Sequence, residues 1–424
     1  MEFRSDHGFA LEMDNNDPLR DFRKRFIIPK RGGAEQIYFL GNSLGLQPAN
    51  ARDELDKVLN QWADFGVEGF FHGDEPWMNY HEKLIKPLAT IVGAQPSELV
   101  VMNQLTVNLH LMMVSFYKPE GKRNKIICES KAFPSDQYML ETHIKYLGLD
   151  PAEIIIEVPP RPGEFHIRHE DVLKSVADHR DELAMVLWGG VNYYTGQVFD
   201  MKAIAMATHE AGALIGLDLA HAAGNIELSL HDWDIDFACW CSYKYLNSGP
   251  GAIGGAFINA RFHHEGERRR FAGWWGHEKS TRFNMEKGFR PVESAEGWQL
   301  STPSILLYAT HHAALKIFQE AGIKRIFEKA RLMTSYLFFL LNSIMNDQTP
   351  NKITILTPQQ DGEHGSQVSM FFREDGRLVF DRLTENGIFA DWREPGVIRI
   401  APVPLYNSFG EIYSFADCLR KALQ

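Results

Sequence analysis

The sequence predicts an α/β fold in which a mainly parallel sheet is covered by helices. Two observations support this class. Apolar runs rich in Ile, Val and Leu alternate with helical segments from about residue 80 to 260, which is the pattern of consecutive βαβ units. These runs lack a clean apolar–polar alternation, which is typical of strands buried on both faces. A second, shorter α/β stretch ends the chain, so we expect a smaller α/β C-terminal domain beside the large one.

The elements of the large domain follow in chain order. The apolar run IYFLGNSLGLQP (37–48) precedes an amphipathic helix near 50–65. The predicted strands are LVVM (99–102), KIICES (125–130), EIIIEV (153–158), LAMVLWGG (183–190), ALIGLDLA (213–220), DFACWCS (236–242) and GAIGGAFIN (251–259). The predicted helices cover 81–92, begin at Thr106 and near Pro134, and then cover 169–179 and 200–212. This alternation places helices on the faces of the sheet.

Residues beyond 300 predict the smaller domain. Its predicted elements are helices at 303–321, 323–346, 377–386 and 409–423 and the strands ITIL, QVSMFF, IFADW and VIRIAP. We therefore expect three parts. These are an N-terminal segment (1–65) that packs with the small domain, a large domain (66–310) that holds the site described below, and a small C-terminal domain (311–424).

Composition limits the function classes. The 424 residues carry a formal net charge of −11, which argues against a nucleic-acid or anionic-membrane surface. Cys239 and Cys241 form a C-x-C pattern without a second ligand pair, so we predict free thiols and no metal site. The N-terminus has no signal-peptide core and no run could span a bilayer. We expect a cytoplasmic protein.

Polar residues follow several predicted strands, and ligands of open α/β sheets bind at that edge. Lys244 leaves the strand DFACWCS for a glycine-rich turn, although burying an ammonium group is costly. A lysine in such a place can bond covalently to a carbonyl carbon when its surroundings lower its pKa. Asp218 ends another apolar strand, and a lysine with a carboxylate is the pair that pyridoxal 5'-phosphate (PLP) requires. We therefore predict a PLP site.

Neighbouring residues fit the same cofactor. A helix N-terminus at Thr106 would offer backbone N–H groups to the phosphate, and Phe133 would offer a flat face to the ring. Glycines between 249 and 255 would let the backbone pack closely beneath the lysine. Structural alternatives stay open: Thr106 as a helix N-cap, Pro134 as the first residue of a helix, and Lys244 as a surface lysine in a turn. The strand-end position of the lysine and the aspartate favours the cofactor.

Longer segments resemble the kynureninase family, whose members are PLP enzymes of the aspartate-aminotransferase type (PLP fold type I). The resembling segments are GLDLAHAAGNIELSLHDWDIDFACWCSYKYLNSGPG, YFLGNSLGLQP, LTVNLHLMM, FPSDQY, YYTGQ, GWWGH and VIRIAPVPLYNSF. DLAH and the lysine strand alone would suit relatives such as cysteine desulfurases, whereas the whole set is specific to the family. The segments run from about residue 37 to 409 and so cover nearly the whole chain.

The resemblance implies a role for each matching position. Lys244 corresponds to the lysine that bonds to the cofactor aldehyde, and Asp218 to the carboxylate beside the ring nitrogen. Tyr243 corresponds to a cofactor-site tyrosine and is a second catalytic candidate, as a proton donor. The positions that match cofactor-binding residues are Leu105, Thr106, Phe133, Asp136, Asp218, His221, Tyr243, Lys244, Trp274 and Thr302. The resemblance places Trp274 and Thr302 at a subunit interface, where they reach the neighbouring subunit's site.

Two positions match substrate-binding residues, and two depart from the family. Arg399, in VIRIAP, matches the arginine that pairs with the substrate carboxylate, a task that suits its two-donor fork. His72 matches a residue beside the aromatic ring of the substrate. Gly189 stands where the family often has a serine that contacts the cofactor, and Thr302 stands where some members have asparagine. The second departure bears on the ring end of the substrate.

The resemblance implies a homodimeric, cytoplasmic enzyme with shared active sites. It would hydrolyse L-kynurenine to anthranilate and L-alanine, and 3-hydroxy-L-kynurenine to 3-hydroxyanthranilate, in tryptophan catabolism and NAD biosynthesis. Because Thr302 offers one hydroxyl where other members offer an amide, we expect kynurenine to be preferred over its hydroxylated form. Two alternatives remain open: another fold-type-I PLP lyase such as a cysteine desulfurase, and a non-catalytic PLP-fold binding protein.

Overall fold

The computed structural model describes residues 2–265, 268–348 and 352–423. Its α-helices are α1 (His7–Asn15), α2 (Ala51–Phe65), α3 (Glu82–Val92), α4 (Leu105–Phe116), α5 (Pro134–Tyr146), α6 (Pro151–Ile154), α7 (His169–Asp178), α8 (Met201–Glu210), α9 (Ile305–Ala321), α10 (Ile323–Gln348), α11 (Gly376–Glu385) and α12 (Phe409–Ala422).

The strands include short N-terminal pairs as well as the predicted runs. They are β1 (Phe26–Ile27), β2 (Lys30–Arg31), β3 (Ala34–Glu35), β4 (Ile37–Tyr38), β5 (Gln47–Pro48), β6 (Leu99–Val101), β7 (Lys125–Glu129), β8 (Ile155–Val158), β9 (Leu183–Gly189), β10 (Leu214–Asp218), β11 (Phe237–Trp240), β12 (Gly255–Ile258), β13 (Ile353–Ile355), β14 (Val368–Phe372), β15 (Ile388–Phe389), β16 (Asp391–Arg393) and β17 (Val397–Ile400).

Seven strands form the central sheet, in the order β6-β12-β11-β10-β9-β7-β8. Strand β10 pairs in parallel with β9 and β11, and β7 pairs in parallel with β8 and β9. Strand β12 runs antiparallel to both β11 and β6. The connection from β11 to β12 contains no α-helix, and a connection of this kind returns the chain antiparallel to the strand it has just left. The predicted mainly parallel sheet is confirmed.

The strands of this sheet are buried on both faces, as their apolar runs predict. In β11, Phe237 and Cys239 pack with residues of α4 and α5 on one face. Ala238 and Trp240 belong to the other face, which α3, α8 and α9 cover. The alternation follows from the two-residue period of a strand, and burial of both faces is what a parallel sheet between helices requires.

The smaller domain contains an antiparallel sheet of four strands, in the order β13-β14-β17-β16. Helices α10, α11 and α12 supply much of its core. The run IFADW, which predicts one strand, divides into two. Strand β15 pairs in parallel with β4 of the N-terminal segment, whereas β16 joins the four-stranded sheet beside β17. Across the described ranges, no helix is both long and apolar enough to cross a bilayer.

The N-terminal segment contacts both parts of the protein. Helix α1 packs on α12, and Phe9 and Met13 share the core of the smaller domain. Further along the chain, α2 packs against α9, and Val58 belongs to the core of the large sheet. Packing of residues 1–65 is therefore divided between two cores, and the domain boundaries near 66 and 311 stay predictions.

Candidate active site

A cavity of about 230 Å³ opens at the carboxyl edge of the central sheet. Its lining comes from the ends of β7, β9 and β10, the turn after β11 and the first turns of α4 and α5. Eight of the predicted cofactor residues line it together: Leu105, Thr106, Phe133, Asp136, Asp218, His221, Tyr243 and Lys244. Residues far apart in the sequence therefore meet where the parallel strands end.

The side chain of Lys244 meets His221 in this cavity. Nζ of Lys244 lies 2.9 Å from Nε2 of His221. Burial, and then the charge of Lys244, lowers the pKa of His221 well below its usual value, so the imidazole is neutral. A neutral imidazole accepts a hydrogen bond at one nitrogen, and Lys244 donates to it. This hydrogen bond holds Nζ of Lys244 beside His221.

The turn after β11 fixes the position of Lys244. The backbone carbonyl of Lys244 accepts a hydrogen bond from the backbone N–H of Asn247 at 3.0 Å. Gly45 packs against this turn, because a Cβ at that position would lie 2.3 Å from the Lys244 carbonyl oxygen. The expectation that the downstream glycine-rich turn packs beneath the lysine is wrong at Gly249 and Gly251. Both have positive φ with open space around them, so they turn the chain instead.

Three buried carboxyl groups line the cavity: Glu129, Asp136 and Asp218. Burial raises the pKa of Asp136 well above its usual value, and the charge of Asp218 and a hydrogen bond with it raise this pKa further. Burial also raises the pKa of Glu129 to about 7, although a hydrogen bond from Asn192 opposes the shift. Like charges in a site shielded from water disfavour each other's ionisation. A cationic N–H group among these carboxyls would relieve the repulsion.

The pyridinium group of PLP meets this requirement. One oxygen of Asp218 already accepts the N–H of Ala220 at 2.7 Å. Oδ1 of Asp136 is buried and has no hydrogen-bond partner among the described residues. A protonated ring nitrogen supplies the positive charge and the donor that this pair lacks. The ring centroid of Phe133 lies 5.9 Å from Nζ of Lys244, and both residues line the cavity. The residues present therefore fit PLP.

The first turn of α4 lines the cavity and is suited to binding an anion. Leu105 and Thr106 begin this helix of 12 residues, whose first N–H groups have no partner within the helix. The N-cap residue is Gln104, and its side chain makes no capping hydrogen bond. The N-cap alternative for Thr106 is therefore wrong, and the helix end can bind a phosphate. In contrast, Pro134 is the first residue of α5, as its structural alternative predicts.

Tyr243 lines the cavity beside Lys244. Its ring centroid is 5.9 Å from Nζ of the lysine. Burial raises the pKa of Tyr243, and Cys241 and Asp218 raise it further. A phenol that stays protonated at neutral pH can act as a proton donor. The environment of Tyr243 is therefore compatible with the predicted role.

Arg399 lies behind the cavity wall and does not line it. Its side chain is almost completely buried, and its guanidinium group donates to the carbonyl of Tyr193 and to the carboxylate of Asp391. Tyr193 does line the cavity. Nε of Arg399 is buried without a hydrogen-bond partner in the parts of the chain that the structure describes. The N–H at Nε could donate to a carboxylate, and substrate binding by Arg399 stays a prediction.

The remaining predicted residues lie on the surface, away from this cavity. The side chain of His72 is 65% exposed and lies 3.4 Å from Glu68. Trp274 is 42% exposed and packs edge-on against Phe283. Thr302 is also exposed. A single chain does not bring these residues to the cavity, which is compatible with the predicted place of Trp274 and Thr302 at a subunit interface; the predicted contact of His72 with the substrate ring stays a prediction.

Sequence reasoning missed some residues of the cavity. Glu129 ends the strand KIICES, so the strand-end rule that selected Asp218 could have found it. Tyr193 lies in YYTGQ, a segment that resembles the kynureninase family but carries no other sign of a functional residue. Its ring packs edge-on against Phe133 with centroids 5.3 Å apart. No local signal predicts this contact, because the two residues belong to different connections of the sheet.

The fold occurs in solved structures of PLP enzymes. A cysteine desulfurase from Thermococcus onnurineus NA1 superposes with a TM-score of 0.77 at 18% identity, covering 95% of this chain and 97% of that one. A mutant of C-DES with glycine covalently linked to its PLP cofactor superposes with a TM-score of 0.75 at 16% identity, covering 92% and 99%. The chain therefore has the fold of this class, PLP fold type I, and its cavity carries residues that fit the cofactor.

Sequence comparison identifies the family within that class. A kynureninase of Flavobacterium psychrophilum is 52% identical over 100% of this chain and 99% of its own length. A kynureninase of Koribacter versatilis is 50% identical over 98% and 97%. The family model for the kynureninase C-terminal domain matches residues 326–419. The chain belongs to the kynureninase family, as the resemblance predicts.

Proposed function

We propose that this cavity hydrolyses L-kynurenine to anthranilate and L-alanine, and 3-hydroxy-L-kynurenine to 3-hydroxyanthranilate and L-alanine. Membership of the kynureninase family supports the reaction. The observation that carries the proposal is the placement of Lys244 and two buried carboxyl groups, those of Asp136 and Asp218, in one cavity. A lysine that can bond to an aldehyde and an acid that can hold a pyridinium proton are what PLP chemistry requires of a protein.

The cofactor would be held at four points of the cavity. Asp218 and Asp136 would bind the ring nitrogen, Phe133 would cover a face of the ring, and the first turn of α4 would bind the phosphate. Lys244 would bond to the aldehyde. When bound, PLP supplies an electron sink that makes the α-proton of the substrate acidic and accepts electrons as the Cβ–Cγ bond breaks.

The residues of the chain would move the protons. Nζ of Lys244 removes the α-proton, and Nε2 of His221, at 2.9 Å, accepts a hydrogen bond from the ammonium group that results. A water molecule adds to the γ-carbonyl carbon, and cleavage of the Cβ–Cγ bond leaves the carboxylate of anthranilate. The OH group of Tyr243 would donate a proton to Cβ, which becomes the methyl group of L-alanine, and would regain one from the hydrated carbonyl group as the carboxylate forms. The ammonium group of Lys244 would return its proton to Cα.

A cysteine desulfurase activity is not favoured. That chemistry needs a mobile nucleophilic cysteine at the cofactor. Cys128 and Cys239 lie within strands of the central sheet, and burial raises the pKa of both thiols. Burial also raises the pKa of Cys241, and Cys418 lies in the last helix. All four thiols are therefore poor nucleophiles in fixed positions.

We also propose a cytoplasmic homodimer that acts in tryptophan catabolism and NAD biosynthesis. Exposed aromatic side chains support the dimer. Phe71, Trp274 and Phe283 are each about half exposed, and the ring centroid of Phe283 lies 6.2 Å from that of Phe71 and 5.5 Å from that of Trp274. Exposed apolar groups of this kind are typical of protein interfaces. The predicted substrate-ring residues, His72 and Thr302, would reach the site across this interface.

Substrate choice depends on Thr302 in this proposal. A threonine hydroxyl would bind a 3-hydroxyl group less firmly than an asparagine amide, and one such hydrogen bond corresponds to about 0.5–1.5 kcal/mol. We expect a preference for kynurenine of up to about tenfold, and we expect Thr302→Asn to shift the ratio of kcat/KM towards 3-hydroxykynurenine. A clearly higher kcat/KM of the unaltered enzyme for 3-hydroxykynurenine would contradict this role.

The test of the activity is spectroscopic. Purified protein supplied with PLP should show visible absorbance from the lysine-bound cofactor, and kynurenine should yield anthranilate, which is detected by its fluorescence. The Lys244→Ala variant is the control, and it should produce no anthranilate above background. Cofactor absorbance without anthranilate from either substrate would reject hydrolysis while leaving PLP binding intact.

A further inference from the structure

Glu129 lies in the cofactor cavity without a role in the reaction above. It ends β7, it is 5% exposed, and its carboxylate accepts a hydrogen bond from Nδ2 of Asn192 at 2.9 Å. Burying a carboxylate costs free energy, and the hydrogen bond from the side chain of Asn192 offsets part of that cost. Asn192 follows β9, which is separated from β7 in the chain by β8 but is its neighbour in the sheet. The contact therefore joins the ends of neighbouring strands.

The backbone leaves room for this carboxylate at one position. Gly189, the last residue of β9, lines the cavity, and a Cβ there would lie 2.6 Å from Oε1 of Glu129. Real Cβ atoms do not approach an oxygen so closely, so a side chain at Gly189 would displace the carboxylate. The absence of a side chain at Gly189 therefore leaves the space that the Glu129 carboxylate occupies.

Asn192 organises the segment 192–195, which we call the Asn192 turn. Its Oδ1 accepts hydrogen bonds from the backbone N–H groups of Tyr194 at 3.0 Å and Thr195 at 2.9 Å. This is the way in which an asparagine side chain stabilises a turn of its own backbone. The amide of Asn192 thus has two tasks: its oxygen holds the turn, and its nitrogen ties the turn to Glu129.

The Asn192 turn in turn contacts the smaller domain. Three successive backbone carbonyl groups of the turn accept hydrogen bonds from side chains of the smaller domain. The carbonyl of Tyr193 accepts from Gln367 and Arg399, that of Tyr194 from Ser369, and that of Thr195 from Thr357. Arg399 lies on β17 and is the predicted ligand of the substrate carboxylate. A continuous series of hydrogen bonds therefore leads from Glu129, in the cofactor cavity, to the guanidinium group of Arg399.

We propose that Glu129 is a positioning residue for the substrate carboxylate. Through Asn192 it fixes the Asn192 turn, and the carbonyl of Tyr193 in that turn fixes Arg399. The inference rests on the proposed function, because it concerns how the amino-acid end of the substrate is bound. Loss of the link should weaken binding of that end and leave cofactor binding and the chemical steps intact.

The variant Asn192→Asp isolates the link. It keeps the oxygen that holds the turn and replaces the donor that faces Glu129 by a second acceptor. We expect KM for kynurenine to rise about tenfold, since one hydrogen bond to a charged group is lost. The affinity for L-alanine, measured from the change it causes in cofactor absorbance, should fall by a similar factor. The value of kcat and the cofactor absorbance without ligand should stay within about twofold of the unaltered enzyme.

A second substitution tests the geometry by reversing the hydrogen bond. Glu129→Gln alone keeps an acceptor for Asn192 and should have a small effect. In the Asn192→Asp background, Glu129→Gln supplies an amide donor to the introduced carboxylate and should restore most of the lost affinity. Glu157→Gln is the matched control, because Glu157 is an exposed carboxylate on the neighbouring strand β8. That control should change neither affinity.

The outcomes separate the inference from the proposed function. An unchanged KM in Asn192→Asp, or no rescue by Glu129→Gln, would overturn the role of Glu129. An equal loss of kcat and cofactor absorbance would also overturn it, since it would indicate a general defect of the cavity. If the unaltered protein binds L-alanine but makes no anthranilate, hydrolysis fails while the alanine measurement still tests the link. In an Arg399→Lys background, Asn192→Asp should add less than about twofold, because both act at one group.

Discussion

Substitution of Arg399 by lysine tests how the amino-acid end of the substrate is held. The guanidinium group of Arg399 is already bonded to the carbonyl of Tyr193 and the carboxylate of Asp391, which leaves Nε as the buried donor without a partner among the described residues. A lysine keeps the charge and loses the planar fork. Its single nitrogen cannot satisfy Asp391, Tyr193 and a substrate carboxylate in the same geometry.

The expected loss follows from the hydrogen bonds. A hydrogen bond to a charged group is worth about 1.5–3 kcal/mol, and each 1.4 kcal/mol is tenfold in affinity. Arg399→Lys should therefore raise KM for kynurenine by about ten- to a hundredfold. Cofactor absorbance should stay unchanged, since Arg399 lies outside the cofactor cavity.

The matched control is Arg393→Lys. Arg393 pairs with the same oxygen of Asp391, at 3.2 Å, but its side chain is 43% exposed. An exposed ion pair contributes little, so this variant should change KM by less than about threefold. Steady-state anthranilate fluorescence gives kcat and KM for both variants. Equal KM values for Arg399→Lys and the unaltered enzyme would refute the assignment, and so would loss of the cofactor spectrum in Arg399→Lys.

Three further predictions concern the cofactor lysine, pH and the dimer. Borohydride reduction and peptide mapping should place the pyridoxyl group on Lys244, and a label on another lysine would contradict the site. Burial raises the pKa of Glu129 to about 7, so its ionisation destabilises the folded, cofactor-free chain as pH rises through 7. Glu129→Gln should remove this cost, about 3 kcal/mol at most, and raise Tm at pH 8 but not at pH 4; equal shifts at both would refute it. Mixing the inactive Lys244→Ala variant with a severely impaired Trp274→Ala variant should restore activity through mixed dimers. If no activity returns after verified subunit exchange, each active site is contained within one chain.

Much of the fold and part of the site could be predicted from local features of the sequence. Unbroken apolar runs indicate strands buried on both faces, and their alternation with helices indicates a parallel sheet. Because parallel strands end at one edge, residues that directly follow strands must meet there. Lys244 and Asp218 were found in this way, and their pairing indicates PLP chemistry. The resemblance of longer segments then indicated the family, which the comparisons confirm.

Other features depend on contacts that no local pattern encodes. The reversed direction of β12 and the division of IFADW between two sheets depend on which strands pair. The sequence alone did not indicate that Glu129 occupies the space beside Gly189, because this requires the register of β7 against β9. The same holds for Arg399, which the resemblance selects but which only the packing places behind Tyr193.

The sequence by itself determined the class of fold and the meeting of Lys244 with Asp218 at one edge of the sheet, because strand ends are local signals with a fixed place in a parallel sheet. The tertiary structure decided how these groups are tuned and held. The neutral state of His221 and the raised pKa of Asp136 come from burial and from charges brought close by folding. The link from Glu129 through Asn192 to the smaller domain joins residues distant in the chain, and such contacts exist only once the sheet and the smaller domain are packed together.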